Sequence, residues 1–225
     1  MNLLPPALQL FYTQERNGLC SETRLSGVLP FVAVNDPAII ARVPTILRSR
    51  HPATIRPLSG SRSGALIQDC PSLGYNSLWV ATENDNYQSD YLLFLGSQLP
   101  QTLAAIPRGF HVDHLYNRAR ARQYGLAWIR TTLVPAGVNT SHGAGYEKTI
   151  TKGEALRERR DMKTMDEITC MKFLGFSSPL KGQSPNQGVE AYVRFAAQAF
   201  GLPEAEVRRN ILELMEKAAS QWAAH

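Results

Sequence analysis

The pattern of apolar and polar positions predicts strands alternating with helices. "LAWIRTTLVP", residues 126–135, is rich in bulky and β-branched residues and stops at Pro135, which makes it the strongest strand of the chain. "FVAVND" at 31–36 and "SLWVAT" at 77–82 read as further strands, and "GFHVDHLY" at 109–116 as a strand leading into a turn. Asp36 and Pro37 open a helix as N-cap and first helical residue, and Pro44 interrupts or kinks it. "YQSDYLLFLGSQL" at 87–99 reads as a helix, and "NRARARQYG" as a short one ending on Gly125. "TMDEITCMKFLG" opens with Thr164 and Glu167 in capping-box spacing and closes on Gly175. Near the end, Val207, Ile211, Leu214, Met215 and Ala218 recur at helical spacing and give one apolar face. Residues 1–30, punctuated by Pro5, Pro6, Gly18, Gly27 and Pro30, read as irregular, and most of 57–70 as loop.

These elements predict an α/β or α+β protein, with a small mixed sheet and flanking helices. The Ser-, Pro- and Gly-rich stretch 176–188 suggests a main domain over 1–187 and a helical C-terminal module over 188–225 packed on it. The 225 residues, 44% of them hydrophobic, suffice for a real core. No run approaches the ~18–20 unbroken apolar residues of a membrane span, and the first residues do not read as a secretory signal. Cys20, Cys70 and Cys170 lie far apart with no CxxC spacing. They predict free thiols in a reducing cytoplasm and neither a zinc knuckle nor a disulfide framework.

Charge is unevenly spread. The net charge is +5, and residues 108–164 carry eleven Lys or Arg against five Asp or Glu. Concentrated basic charge suits a polyanion such as nucleic acid, although it equally suits a solvated helix face. Arg118, Arg120 and Arg122 alternate, so on a helix they fan across about 200° and predict no single tight clamp. The same segment holds His111, His114 and His142, with Asp113, Asn117, Asn139 and Glu147 around them. In an extended "HVDH", His111 and Asp113 share one face and His114 lies on the other unless a bulge turns it. Asn139 and His142 are three apart and can share a helix face. Glu83, Asp85 and Asp90 form a second acidic cluster after a strand, of a kind that can hold Mg²⁺.

An Asp-His pair at a strand end, then a strand, then a helix carrying Asn or His, resembles the HNH (ββα-metal, His-Me finger) nucleases. "VDHL" is similar to that family's first strand, and "LVPAGVNTSHGAGYEK" resembles its strand-to-helix half. The resemblance spans residues 109–148 and lacks the family's middle Asn or His and its zinc-binding cysteine pairs. It implies a metal-dependent endonuclease acting on DNA or RNA. His114 would be the general base, and Asp113 with Asn139 or His142 would hold a divalent cation, expected to be Mg²⁺. Arg118, Arg130 and Lys148 are expected phosphate contacts on charge. The alternative is a non-catalytic nucleic-acid-binding or assembly protein using the basic segment 108–164. In that case the C-terminal amphipathic helix could dock a protein partner or a second copy. A third reading is an acid-base enzyme on another substrate.

Overall fold

The structure, a computed structural model, describes residues 4–46, 53–143, 161–179 and 185–223. It is an α+β fold built on a seven-stranded antiparallel sheet. In chain order the elements are α1 (Pro6–Ser26), β1 (Phe31–Val34), α2 (Pro37–Ile46), β2 (Thr54–Pro57), β3 (Ala65–Cys70), β4 (Tyr75–Ala81), α3 (Tyr87–Gln98) and β5 (Phe110–His114). There follow α4 (Arg118–Gln123), β6 (Trp128–Pro135), α5 (Ala136–His142), β7 (Met162–Thr164), α6 (Glu167–Leu174), α7 (Gln187–Phe200) and α8 (Glu204–Ala223).

The strongest predicted strand is the spine of the sheet. β6 pairs with β4 along one edge and shares its other edge between β1 and β5, with Ile129 opposite both Val80 and Ala33 and Thr131 opposite both Leu78 and His114. The full order is β2-β3-β4-β6-β1-β7, with β5 beside the C-terminal half of β6. On one face, Ile67, Leu78, Val80, Val112 and Leu133 pack against Tyr91, Phe94 and Leu95 of α3. Each such side chain taken fully from water contributes about 2 kcal/mol. In a second cluster, Val32, Ile129 and Leu115 share a core with Leu19 of α1, Met171 and Phe173 of α6, Tyr192 and Val193 of α7, and Ile211 of α8. The C-terminal helices therefore close the same core as α1 and the sheet.

Several expectations are corrected. Residues 6–26 are not irregular but form α1. Pro6 sits at the start, where a missing N–H costs nothing, and Gly27 adopts φ 74° as the C-cap. Gly18 lies against the Tyr75 ring, where a Cβ would come within 2.1 Å of Cδ1. The inward face of α1 mixes Leu8, Phe11 and Leu19 with the buried Glu15, Arg16 and Glu22, so its apolar stripe is interrupted. Residues 65–70 are not loop but β3, paired with both β2 and β4. α2 continues through Pro44 to Ile46. The cap of α6 is Asp166, whose Oδ1 accepts from the Thr169 N–H at 2.8 Å, because Thr164 is held in β7 opposite Phe31.

Candidate functional site

The β5–β6 hairpin runs directly into α5, and the Ala136 N–H donates to the Gly109 carbonyl at 2.8 Å to close the corner. β5 keeps its regular pleat through His114, so its polar residues divide between two faces. On one face, His111 Nδ1 lies 3.2 Å from the Asn139 amide of α5, an N–H donor to the imidazole. On that same face the Asp113 carboxylate pairs with the Lys172 ammonium of α6. Lys172 is enclosed, with 1% of its side chain exposed, while Asp113 keeps 21%. His142, also on α5, is buried, and its Nε2–H donates to the Phe176 carbonyl at 2.9 Å. Burial lowers its pKa from 6.5 to about 4, with the Phe176 bond opposing and the Lys172 charge reinforcing.

His114 points the other way. Its ring lies 4.3 Å, centroid to centroid, from the Tyr87 ring at the start of α3. Burial lowers its pKa to about 4, the Asp113 carboxylate pulling weakly upward, so the imidazole is uncharged at neutral pH. Its Nε2 is enclosed and has no hydrogen-bond partner among the described residues. Beside it opens a cavity of about 370 Å³, lined by Asp85, Tyr87, Asp113, His114, Tyr116, Asn117 and Arg118. Asn117 shapes this wall by capping α4, its Oδ1 accepting from the Arg120 N–H at 3.0 Å. The hairpin's end thus brings Asp113 and His114 to one cavity although their side chains leave opposite faces.

The groups expected to hold a cation each have another partner. Asp113 is committed to Lys172, Asn139 to His111 and His142 to a backbone carbonyl. Among the described residues, no three His, Cys, Asp or Glu side chains converge as a metal-binding group. The second acidic cluster is dispersed as well. Glu83 pairs with Arg122, Asp85 with Arg118, and Asp90 accepts from Asn84 and Ser61. Lys148 and Glu147 lie outside the described residues. Arg130, expected to contact phosphate, is instead 1% exposed in the core, because β6 is the sheet's central strand. Its guanidinium lies 5.3 Å from the Tyr75 ring and 5.7 Å from the Phe173 ring.

Arg130 belongs to a buried charge network that the sequence did not signal. Thr132 donates to Glu15 at 2.7 Å, Tyr75 donates to Glu22 at 2.6 Å, and Arg16 donates to the Leu133 carbonyl at 2.8 Å. Burial pushes the Glu15 and Glu22 carboxyls above their ordinary range, with the Arg16 and Arg130 charges opposing. Lys172 was missed for a different reason: it stands 59 positions from Asp113, and nothing local marks the pairing. Comparison with known families, curated proteins and solved structures returns no match. No helix among the described residues is long and apolar enough to cross a membrane.

Proposed function

We propose that this chain binds nucleic acid and hydrolyses its phosphodiester bonds, with His114 as the general base. The observation that carries the reading is His114 itself, an imidazole whose pKa burial lowers to about 4 and whose Nε2 has no partner among the described residues, at a strand end, on the wall of a polar cavity. A buried polar atom without a partner calls for an explanation, and a catalytic role is one. The order strand, short helix, antiparallel strand, helix over 110–142, with β5 and β6 paired, supports the same reading.

In this mechanism His114 accepts the proton of the attacking water as its oxygen bonds to phosphorus, and the phosphorus–oxygen bond to the leaving strand breaks, that oxygen taking a proton from solvent. A base with a pKa near 4 is weak when free, but a phosphate seated beside the ring raises that pKa by favouring the imidazolium. Arg118, in the same cavity wall, supplies positive charge to the phosphate. Lys172 neutralises Asp113 on the opposite side of the strand. The described residues that would hold a divalent cation do not fit one as they stand, so no step is assigned to a metal.

The test is cleavage of plasmid and single-stranded RNA by the wild type and by His114→Ala, in Mg²⁺, Mn²⁺ or EDTA. The wild type cuts, and the variant loses roughly a hundredfold or more in rate while keeping its oligonucleotide affinity. Full cutting by His114→Ala overturns the assignment. A second reading, a binding module without catalysis, is favoured by the internal engagement of Asp113, Asn139 and His142. Salt-sensitive binding with no cleavage in any metal selects it.

A further inference from the structure

We propose that Arg118 and Arg122 form a clamp for two neighbouring phosphates of a nucleic-acid strand, occupied in the free protein by a built-in anion mimic, the carboxylates of Glu83 and Asp85. The proposal rests on the nucleic-acid reading above and extends it to how the strand is admitted.

The clamp begins with helix geometry. Arg118 and Arg122 stand four apart on α4, so they differ by only ~40° around the axis and lie about 6 Å apart along it. Arg120, between them, turns away toward the Tyr116 ring, 6.0 Å from its centroid. The fan of arginines read from the sequence is thus two residues on one face and one on another. The pair meets the turn that joins β4 to α3. Arg118 Nη2 lies 2.8 Å from Asp85 Oδ1, and Arg122 Nε lies 2.8 Å from Glu83 Oε1.

Each guanidinium also has a second, fixed anchor. Arg118 Nη1 donates to the Asn84 carbonyl at 3.0 Å, and Arg122 Nη2 donates to the Thr82 carbonyl at 2.8 Å. These backbone bonds orient the forks whether or not the carboxylates are present. The turn is itself rigid. Asn84, fully buried, donates to Asp90 at 2.6 Å and to the Gly64 carbonyl at 3.2 Å, and its Oδ1 accepts from the Asn86 N–H at 2.8 Å. With residue 84 pinned inward, residues 83 and 85 project outward, 75% and 78% exposed.

The two contacts of each arginine therefore differ in kind. The carbonyl bond is permanent and positional. The carboxylate bond joins exposed groups, which is weak in water and readily exchanged for another oxyanion. A phosphodiester oxygen, on a group with the same single negative charge, can take the carboxylate's place at the guanidinium. Asp85 and Arg118 also line the cavity beside His114, so a strand that displaces the two carboxylates is placed against the base.

The experiment measures binding of fluorescein-labelled oligo(dT) by anisotropy in EDTA, over a range of salt, without reference to cleavage. Glu83→Gln with Asp85→Asn should tighten binding roughly threefold to tenfold, by removing two weak competing pairs. Arg118→Gln with Arg122→Gln should weaken binding and flatten the plot of log affinity against log salt by about 1.4, for two lost contacts on a single strand. The charge-matched control is Asp69→Asn with Glu213→Gln, which removes acids from two other surface ion pairs. Tightening by the control equal to that of the turn variant overturns the clamp, as does an unchanged salt slope in the arginine variant. Failure of His114→Ala to stop cleavage would count against the catalytic reading and leave these binding results standing.

Discussion

His142 offers a direct measure of how completely the fold encloses its candidate residues. The imidazole is 1% exposed and its pKa falls from the ordinary 6.5 to about 4, by burial first, with the Phe176 hydrogen bond opposing. Lys172, Asp166 and Asp113 are the charges that act on it. For a base whose pKa is depressed by folding, the unfolded chain takes up the proton first as pH falls. The stability due to the neutral ring is complete above about pH 6.5 and is lost as pH falls toward 4. Between pH 8 and pH 5 the loss is about 2 kcal/mol, and it approaches roughly 3 kcal/mol at lower pH.

The perturbation is His142→Gln, which retains an N–H donor for the Phe176 carbonyl but cannot titrate. Urea unfolding, followed through the three tryptophans, gives the stability of both proteins at pH 8 and pH 5. Trp79 is fully buried and reports the sheet. The wild type should lose about 2 kcal/mol more than the variant between the two conditions. His114 and the acids Glu15, Glu22 and Glu167, whose raised pKa values act in the opposite direction, are present in both proteins and cancel. Equal losses would refute the reasoning, as would an NMR titration placing the native ring near 6.5.

Two further outcomes test the packing around the hairpin. Lys172→Met leaves Asp113 without its partner and should cost about 3 kcal/mol, most of it restored by adding Asp113→Leu; a double variant no more stable than the single would show that the pair is not coupled in this way. Gly18→Ala drives a methyl into the Tyr75 ring and should cost about 3 kcal/mol, lowering Tm, and an unchanged thermal melt would mean that α1 does not seat on β4 as described.

The legible parts of this fold share one property: their signal is local. β6, β4 and β1 announce themselves through runs of bulky and β-branched residues, and α8 through an apolar face that delivers Val207 and Ile211 to the core. The division of His111 and Asp113 from His114 follows from the two-residue period of a strand, and the structure keeps it. The α1 helix was hidden because charged residues interrupt its buried face. Glu15, Arg16 and Glu22 compensate one another and Arg130 inside the protein, so binary patterning reads them as surface. Strands β2 and β3 were hidden because their short segments lack a clear alternation, and pairing with β4 makes them strands.

Residue types and periodicity were thus enough to order β5, β6 and α5, and they singled out His114, Asp113 and the basic segment around them as candidates only. They could not say that Asp113 would meet a lysine 59 positions away, that Arg130 would lie in the core, or that Arg118 and Arg122 would face two exposed carboxylates. A side chain's chemistry and a strand's or helix's period are local properties of the chain. Which opposite charge sits beside it, and how much water remains there, depends on contacts between distant segments that exist only once the sheet and its helices have packed.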